Sequence, residues 1–259
     1  MISEFPLFTF TTLAGLAAGA YLIDVIFALR GTKSESAGRA VKPWVFPLVC
    51  LILLGVGLIG CLAHLGRPER FMNALANPTA MIAQEAYWSI AFGMFALVDF
   101  IMGLMGKKTP NAVRIIGAVA GAGLMVVMSN AYFTAHGVGA WTHPLTWLLF
   151  LVGDLAMGAA LVGALRSAVV QDSAFRIMAL VLYCVVALAI IGECVNFASH
   201  GHSIVPFAIA AVITAAGIVV DCVARSRKMK PEAAAIGVCV LIIIGVAISR
   251  YGFYMASII

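Results

Sequence analysis

The sequence predicts an all-α integral membrane bundle of eight transmembrane helices, a single polytopic domain over residues 1–259 with both termini on the outer side of the membrane. Three observations carry that reading. Of 259 residues, 63% are hydrophobic and only 10% are charged, and the mean hydropathy is +1.09, which leaves too little polar surface to clothe a soluble globule. Apolar runs long enough to cross a hydrocarbon core of about 30 Å, which takes about 20 residues each, recur along the whole chain. Lysines and arginines gather in every second connection between those runs.

The runs cover roughly residues 7–29, 45–64, 83–105, 112–133, 144–165, 174–197, 203–223 and 234–255. In lipid only helices or closed barrels satisfy every backbone polar group, and runs of this length without alternation are helices. They fill the chain and leave no room for a soluble domain. The first run follows Glu4 with no basic leader and is long enough to span, so it is expected to be a retained helix and not a cleaved signal.

Cytoplasmic loops hold an excess of positive charge. The first, third, fifth and seventh connections carry Arg30, Lys33, Arg39, Lys42, Lys107, Lys108, Arg114, Arg166, Arg176, Arg225, Arg227, Lys228 and Lys230, leaving only Arg67, Arg70 and Arg250 elsewhere. The termini and the 64–85 segment are therefore expected to face outward. The net charge of +5 follows from this topology and does not point to nucleic acid.

The six cysteines, Cys50, Cys61, Cys184, Cys194, Cys222 and Cys239, show no C-x-x-C spacing. Inside spans they read as small hydrophobes, and no iron–sulfur cluster is expected on this chain. Gly15-x-x-x-Gly19 and Gly117-x-x-x-Gly121 would let helices approach closely.

Residues 64–85 hold the densest group of chemically capable side chains. His64 ends the second span, Gly66 breaks it, Pro68 suits the first turn of a short helix, and Asn77-Pro78 stops that helix. Residues 68–76 are thus expected to lie along the outer surface, with Phe71, Met72 and Leu75 toward bilayer or bundle. His64 and Glu85 then sit at similar depth on adjacent helices. Oxidation of a hydroquinone releases two electrons and two protons, and so needs a base or acceptor near each hydroxyl. A histidine and a partly desolvated carboxylate suit those roles, with Arg67 and Arg70 either setting the local charge or anchoring lipid phosphates.

Ionisable groups within spans are function hypotheses by default. Glu193 and Arg250 fall in the outward halves of the sixth and eighth spans, where they either pair with each other or join the His64 site. Asp24, Asp99, Asp154 and Asp221 run from mid-membrane to the cytoplasmic ends. With Glu193 they are a candidate proton route, although polar glue between helices is the preferred reading. Asp24 with Arg30 and Asp221 with Arg225 are local pairs, of which only the second has good i,i+4 spacing. His136, His143, His200 and His202 fall in outward connections and not at the mid-depth that bis-imidazole haem ligation requires, so no haem is expected. Local capping or partner contact is expected for these histidines, and Trp141 and Trp147 read as interfacial belt aromatics.

The stretch His64-Leu-Gly-Arg67-Pro-Glu-Arg70-Phe-Met-Asn-Ala-Leu, followed by Glu85 at the start of the next helix, resembles the membrane anchor subunit of bacterial dimethyl sulfoxide reductases, within the polysulfide/nitrite reductase anchor superfamily. The resemblance implies an inner-membrane subunit that oxidises menaquinol. It also implies partners on the outer face, a four-cluster iron–sulfur subunit and a molybdopterin catalytic subunit. By the same resemblance His64, Arg70 and Glu85 match quinol-site residues, with Gly66 and Pro68 shaping the loop. Where the family commonly has a Trp and Ser-Arg-Glu ahead of the third helix, this chain has Met81-Ile-Ala-Gln84-Glu85 and lacks the basic neighbour.

Two other readings compete. Buried carboxylates in an eight-helix bundle suit a secondary transporter, but no pair of Gly/Pro-broken spans stands in matching halves. A quinone-coupled anchor that pumps protons through the aspartates is the other.

Overall fold

Eight helices of the computed structural model are long and apolar enough to cross a membrane, and the structure describes residues 4–31, 42–64, 71–166, 168–226 and 231–256. The helices are α1 (Phe5–Leu29), α2 (Val45–His64), α3 (Phe71–Leu75), α4 (Met81–Leu104), α5 (Asn111–Phe133), α6 (Pro144–Trp147), α7 (Gly153–Leu165), α8 (Ser173–Ser199), α9 (Val205–Ser226) and α10 (Pro231–Met255). No strand occurs among the described residues. All eight expected spans are present, with ends that differ by no more than a few residues.

Local chemistry sets the ends. Pro6 and Pro144 sit in the first turns of α1 and α6, where a missing N–H costs nothing. Asp172 caps α8, its Oδ1 accepting from the N–H groups of Ala174 at 2.8 Å and Phe175 at 3.2 Å. Gly106 and Gly201 follow the ends of α4 and α8 with φ of 66° and 78°, a left-handed conformation that a Cβ would oppose.

α1 is the centre of the bundle, in contact with α2, α5, α7 and α10. Its side chains are apolar nearly all round, as a helix enclosed by others must be. α1 and α7 touch backbone to backbone. A Cβ at Gly19 would collide with the Asp154 carbonyl, and one at Gly158 would collide with the backbone at Gly19 and Ala20. At Gly121 α5 packs on α1 less tightly, with Ala18 Cα at 3.4 Å from where its Cβ would stand. Both spacings read from the sequence therefore mark real helix contacts.

Three features depart from expectation. The surface helix is α3, Phe71–Leu75, which ends one residue before the end of the expected 68–76; residues 68–70 lie outside the described residues. It is fastened to α4 by the Tyr87 hydroxyl, which donates to the Leu75 carbonyl at 2.5 Å, while Met72 is exposed and Phe71 and Leu75 are half-buried. The fifth span is not one regular helix, because a π-helical turn at Leu148–Val152 separates α6 from α7. Trp141 is not a belt residue. It is buried, stacks on Phe253 at 5.0 Å and donates from Nε1 to the Phe253 carbonyl at 2.9 Å. Trp147 remains half-buried at its helix end.

The α1–α7 contact leaves no room for a side chain, so Gly19→Val should lower the thermal midpoint of the detergent-solubilised protein by the equivalent of at least about 1–3 kcal/mol, the usual cost of overpacking. Gly55→Val, at a position with open space around it, should leave the midpoint unchanged. Equal midpoints for the two variants would refute the close contact.

Candidate functional site

Glu85 lies one turn into α4, only 7% exposed, and its Oε1 has no hydrogen-bond partner among the described residues. Ser89, one turn further along the same face, is also buried, and its Oγ likewise has no partner among the described residues. Buried polar atoms left without partners cost about 1–3 kcal/mol each, so both atoms call for partners from beyond the described residues. Cys61 on α2, Tyr132 on α5 and Tyr254 on α10 are the groups within electrostatic reach of the Glu85 carboxylate.

His64 closes α2 one turn beyond Cys61, which puts its backbone at the Glu85 end of the bundle. Its side chain, and Gly66, Arg67, Pro68 and Arg70 entirely, lie outside the described residues. His136, His143, His200 and His202 stand at this same end. Two of them cap locally, as expected. His143 Nδ1 accepts from the Leu145 N–H at 3.3 Å, and His200 Nδ1 lies 2.9 Å from the Asn196 carbonyl.

Behind Glu85 stands an aromatic cluster. Tyr132 stacks on Phe150 at 5.0 Å and meets the edges of Trp141, Phe253 and Tyr254 at 5.6, 5.8 and 5.2 Å. The hydroxyls of Tyr132 and Tyr254 are paired, and Tyr254 Oη lies 3.0 Å from Thr11 Oγ1. Sequence reading did not pick out these residues, because tyrosine and threonine within apolar runs give no signal of their own.

Beyond the tyrosines lies Arg250, with no exposed surface. Its Nη2 contacts Asp154 Oδ1 at 2.6 Å and the Phe150 carbonyl at 2.9 Å, while Nη1 donates to the Thr11 carbonyl at 2.6 Å. The guanidinium also sits 4.7 Å over the Phe150 ring, a favourable cation–π arrangement. The expected pairing of Arg250 with Glu193 does not form. Glu193 is held by Thr146 Oγ1 at 3.3 Å and by Asn196 Nδ2 at 2.8 Å, and Gly15 leaves the space that the Asp154 carboxylate occupies beside Arg250.

The remaining aspartates stand at the opposite end. Asp24 binds Arg114 at 2.5 Å and also Arg166, two guanidiniums from elsewhere in the bundle, in keeping with the poor i,i+6 placement of Arg30. Asp99 accepts from the Tyr21 hydroxyl at 2.9 Å and lies 3.5 Å from Arg114 Nε. Asp221 pairs with Arg225, as the i,i+4 spacing predicts. The contacts of Asp24 and Asp99 tie α1, α4, α5 and the end of α7 together.

Arg250→Met leaves Asp154 buried without a counter-ion, and breaking such a pair typically costs about 3–5 kcal/mol. The thermal midpoint should fall accordingly, and the double variant Arg250→Met/Asp154→Leu should recover most of the loss. A double variant no more stable than Arg250→Met would show that the pair is not the main stabilising contact.

Residues 1–256 match the DMSO reductase anchor subunit (DmsC) family. The protein is 32% identical over 166 residues to the C subunit of the anaerobic dimethyl sulfoxide reductase of Haemophilus influenzae, a match that takes in 61% of this sequence and 58% of that one. It is 27% identical over 195 residues to the corresponding C subunit of Escherichia coli, with 73% and 66% covered. To the YnfH subunit of an E. coli anaerobic dimethyl sulfoxide reductase it is 27% identical over 170 residues, with 64% and 58% covered. The matches thus span between 58% and 66% of the length of these relatives. Eight apolar helices and a family match along nearly the whole sequence make this a multi-pass membrane protein that belongs to the DMSO reductase anchor subunit family.

Proposed function

We propose that this protein anchors a molybdopterin oxidoreductase complex of the dimethyl sulfoxide reductase type in the bacterial inner membrane, and that it oxidises menaquinol at the Glu85 end of the bundle. The observation that carries the reading is the buried Glu85 carboxylate, with one oxygen unpartnered among the described residues, at the same end as His64. A quinol hydroxyl is the donor such an oxygen lacks. Cys61, Tyr132 and Tyr254, which feel the Glu85 charge, are apolar bodies with weakly polar tips and suit the surroundings of a quinone ring.

In this mechanism menaquinol enters from the outer leaflet beside α2 and α4. One hydroxyl proton passes to Glu85 and the other to His64, and both leave to the outer aqueous side. The two electrons pass one at a time to the nearest cluster of a four-cluster iron–sulfur subunit docked on the outer face, and from there to the molybdopterin subunit. Menaquinone is the product, so electrons and protons balance. By the family resemblance Arg67 and Arg70 are assigned to set the charge at the site and Gly66 to shape its loop; all three lie outside the described residues. Arg250 acts through Thr11, Tyr254 and Phe150 as a positioning residue that keeps the aromatic wall in place. Both termini face outward in this arrangement.

The proton route through Asp24, Asp99, Asp154, Glu193 and Asp221 is the second reading. Ionic contacts of Asp24, Asp99, Asp154 and Asp221 with arginines favour a structural role for these four, and Glu193 is held by neutral donors.

Glu85→Gln and His64→Ala should each lower menaquinol-linked turnover of the intact complex by about 10²-fold or more, the scale of a lost proton acceptor. Turnover of the same complexes with an artificial electron donor should be unchanged. Normal menaquinol turnover in both variants would overturn the assignment.

A further inference from the structure

At the end of the bundle opposite Glu85, α7, α8, α9 and α10 enclose a cavity of about 170 Å³. Phe175, Ala179 and Val238 give it apolar walls, and Arg176, Arg225 and Asp221 stand among its polar lining. Arg225 is already engaged. Its Nη2 binds the Asp221 carboxylate and donates to the Arg176 carbonyl at 2.9 Å, bridging α9 to α8. Its Nε is buried and has no partner among the described residues.

Arg176 takes no ion pair among the described residues. Among the described residues the cavity lining thus carries two guanidiniums and one carboxylate. Arg176 stands in the first turn of α8. Two turns deeper the lining reaches Tyr183, and the neighbouring outward face of α8 is apolar, with Ile177 and Val181 exposed. An anion that fits must be singly charged at its polar end and apolar below it.

We propose that this cavity binds the phosphodiester head of an anionic phospholipid. The phosphate oxygens meet Arg176 and the free Nε of Arg225, and the glycerol and upper acyl chain lie against Phe175, Ala179 and Val238. A phosphodiester carries the single negative charge that the site lacks, and guanidinium recognises it by charge-assisted hydrogen bonds. The apolar walls select a lipid over free phosphate, which has nothing to place there. This site is independent of the quinol reading, since it stands at the other end of the bundle and shares no residue with it.

The test uses the full-length protein, delipidated in a mild detergent, with thermal midpoints measured against added phosphatidylglycerol, phosphatidylcholine and inorganic phosphate. Phosphatidylglycerol at about ten times its Kd should raise the midpoint by about 3–5 °C, and the other two should not. Arg176→Gln should weaken the phosphatidylglycerol response about 10-fold in apparent affinity, and Arg176→Lys should retain most of it. Ala235→Leu, which narrows the cavity without changing charge, should weaken it as well, and this variant carries the test if Arg176→Gln does not fold. An equal response to phosphatidylcholine, no response to phosphatidylglycerol, or an unaltered response in both Arg176→Gln and Ala235→Leu would overturn the site. An equal response to inorganic phosphate would make it a free-anion site and overturn the lipid assignment.

Discussion

A guanidinium with no exposed surface, in the last turns of the last span, constrains more of this bundle than any other group. Burying an unpaired charge in a low-dielectric interior is costly enough that structure elsewhere must adjust to it. Asp154 supplies the counter-charge, Thr11 and Phe150 supply carbonyls, and the Phe150 ring supplies a face. Each partner carries its own requirement. The Phe150 carbonyl lies in the π-helical turn at Leu148–Val152, where it accepts from both the Gly153 N–H and Arg250 Nη2. The Asp154 carboxylate fits only because residue 15 is glycine, and that same glycine stripe lets α1 meet α7 backbone to backbone. The ion pair, the irregular span and the small-residue contact are therefore one solution to one electrostatic problem.

From that centre the two ends of the bundle differ in kind. At one end carboxylates and guanidiniums neutralise one another across helices, as Asp24 does with Arg114 and Arg166. At the other, Glu85 and Glu193 have no described cation beside them and are surrounded by hydroxyls, an amide and aromatic rings. Paired charges make a rigid, satisfied surface suited to holding helices together. Carboxylates without an ion pair among the described residues keep hydrogen-bonding capacity to offer.

How far the sequence reveals this follows from the range over which each signal acts. Length and hydropathy of a run are local quantities, so all eight spans could be read with their approximate ends, and Gly15, Gly19 and Gly121 betrayed close contacts by spacing alone. Glu85 stood out as a carboxylate among apolar neighbours. Its surroundings did not, because Cys61, Tyr132 and Tyr254 come from three distant helices and look like ordinary span residues one at a time. The partner of Arg250, for which pairing with Glu193 was one of two alternatives, could not be identified for the same reason. Glu193 and Asp154 both sit within spans, and only the three-dimensional placement of Gly15 and the π-helical turn chooses between them. Trp141 was misjudged because a tryptophan near a span end is normally interfacial, whereas here a short 3₁₀ turn at Gly139–Trp141 folds it inward onto Phe253.

The unpartnered oxygen of Glu85 acquires meaning from this contrast. Arg250 shows that the fold can supply several partners to a demanding buried group, recruiting backbone, side chain and ring from other spans. Even there Arg250 Nε and Asp154 Oδ2 have no partner among the described residues, and Glu85 Oε1 and Ser89 Oγ share that condition. The difference is in charge: Arg250 and Asp154 neutralise each other, whereas Glu85 has no cation beside it among the described residues. The acceptor that this leaves on Glu85 is the feature on which the proposed quinol reading rests.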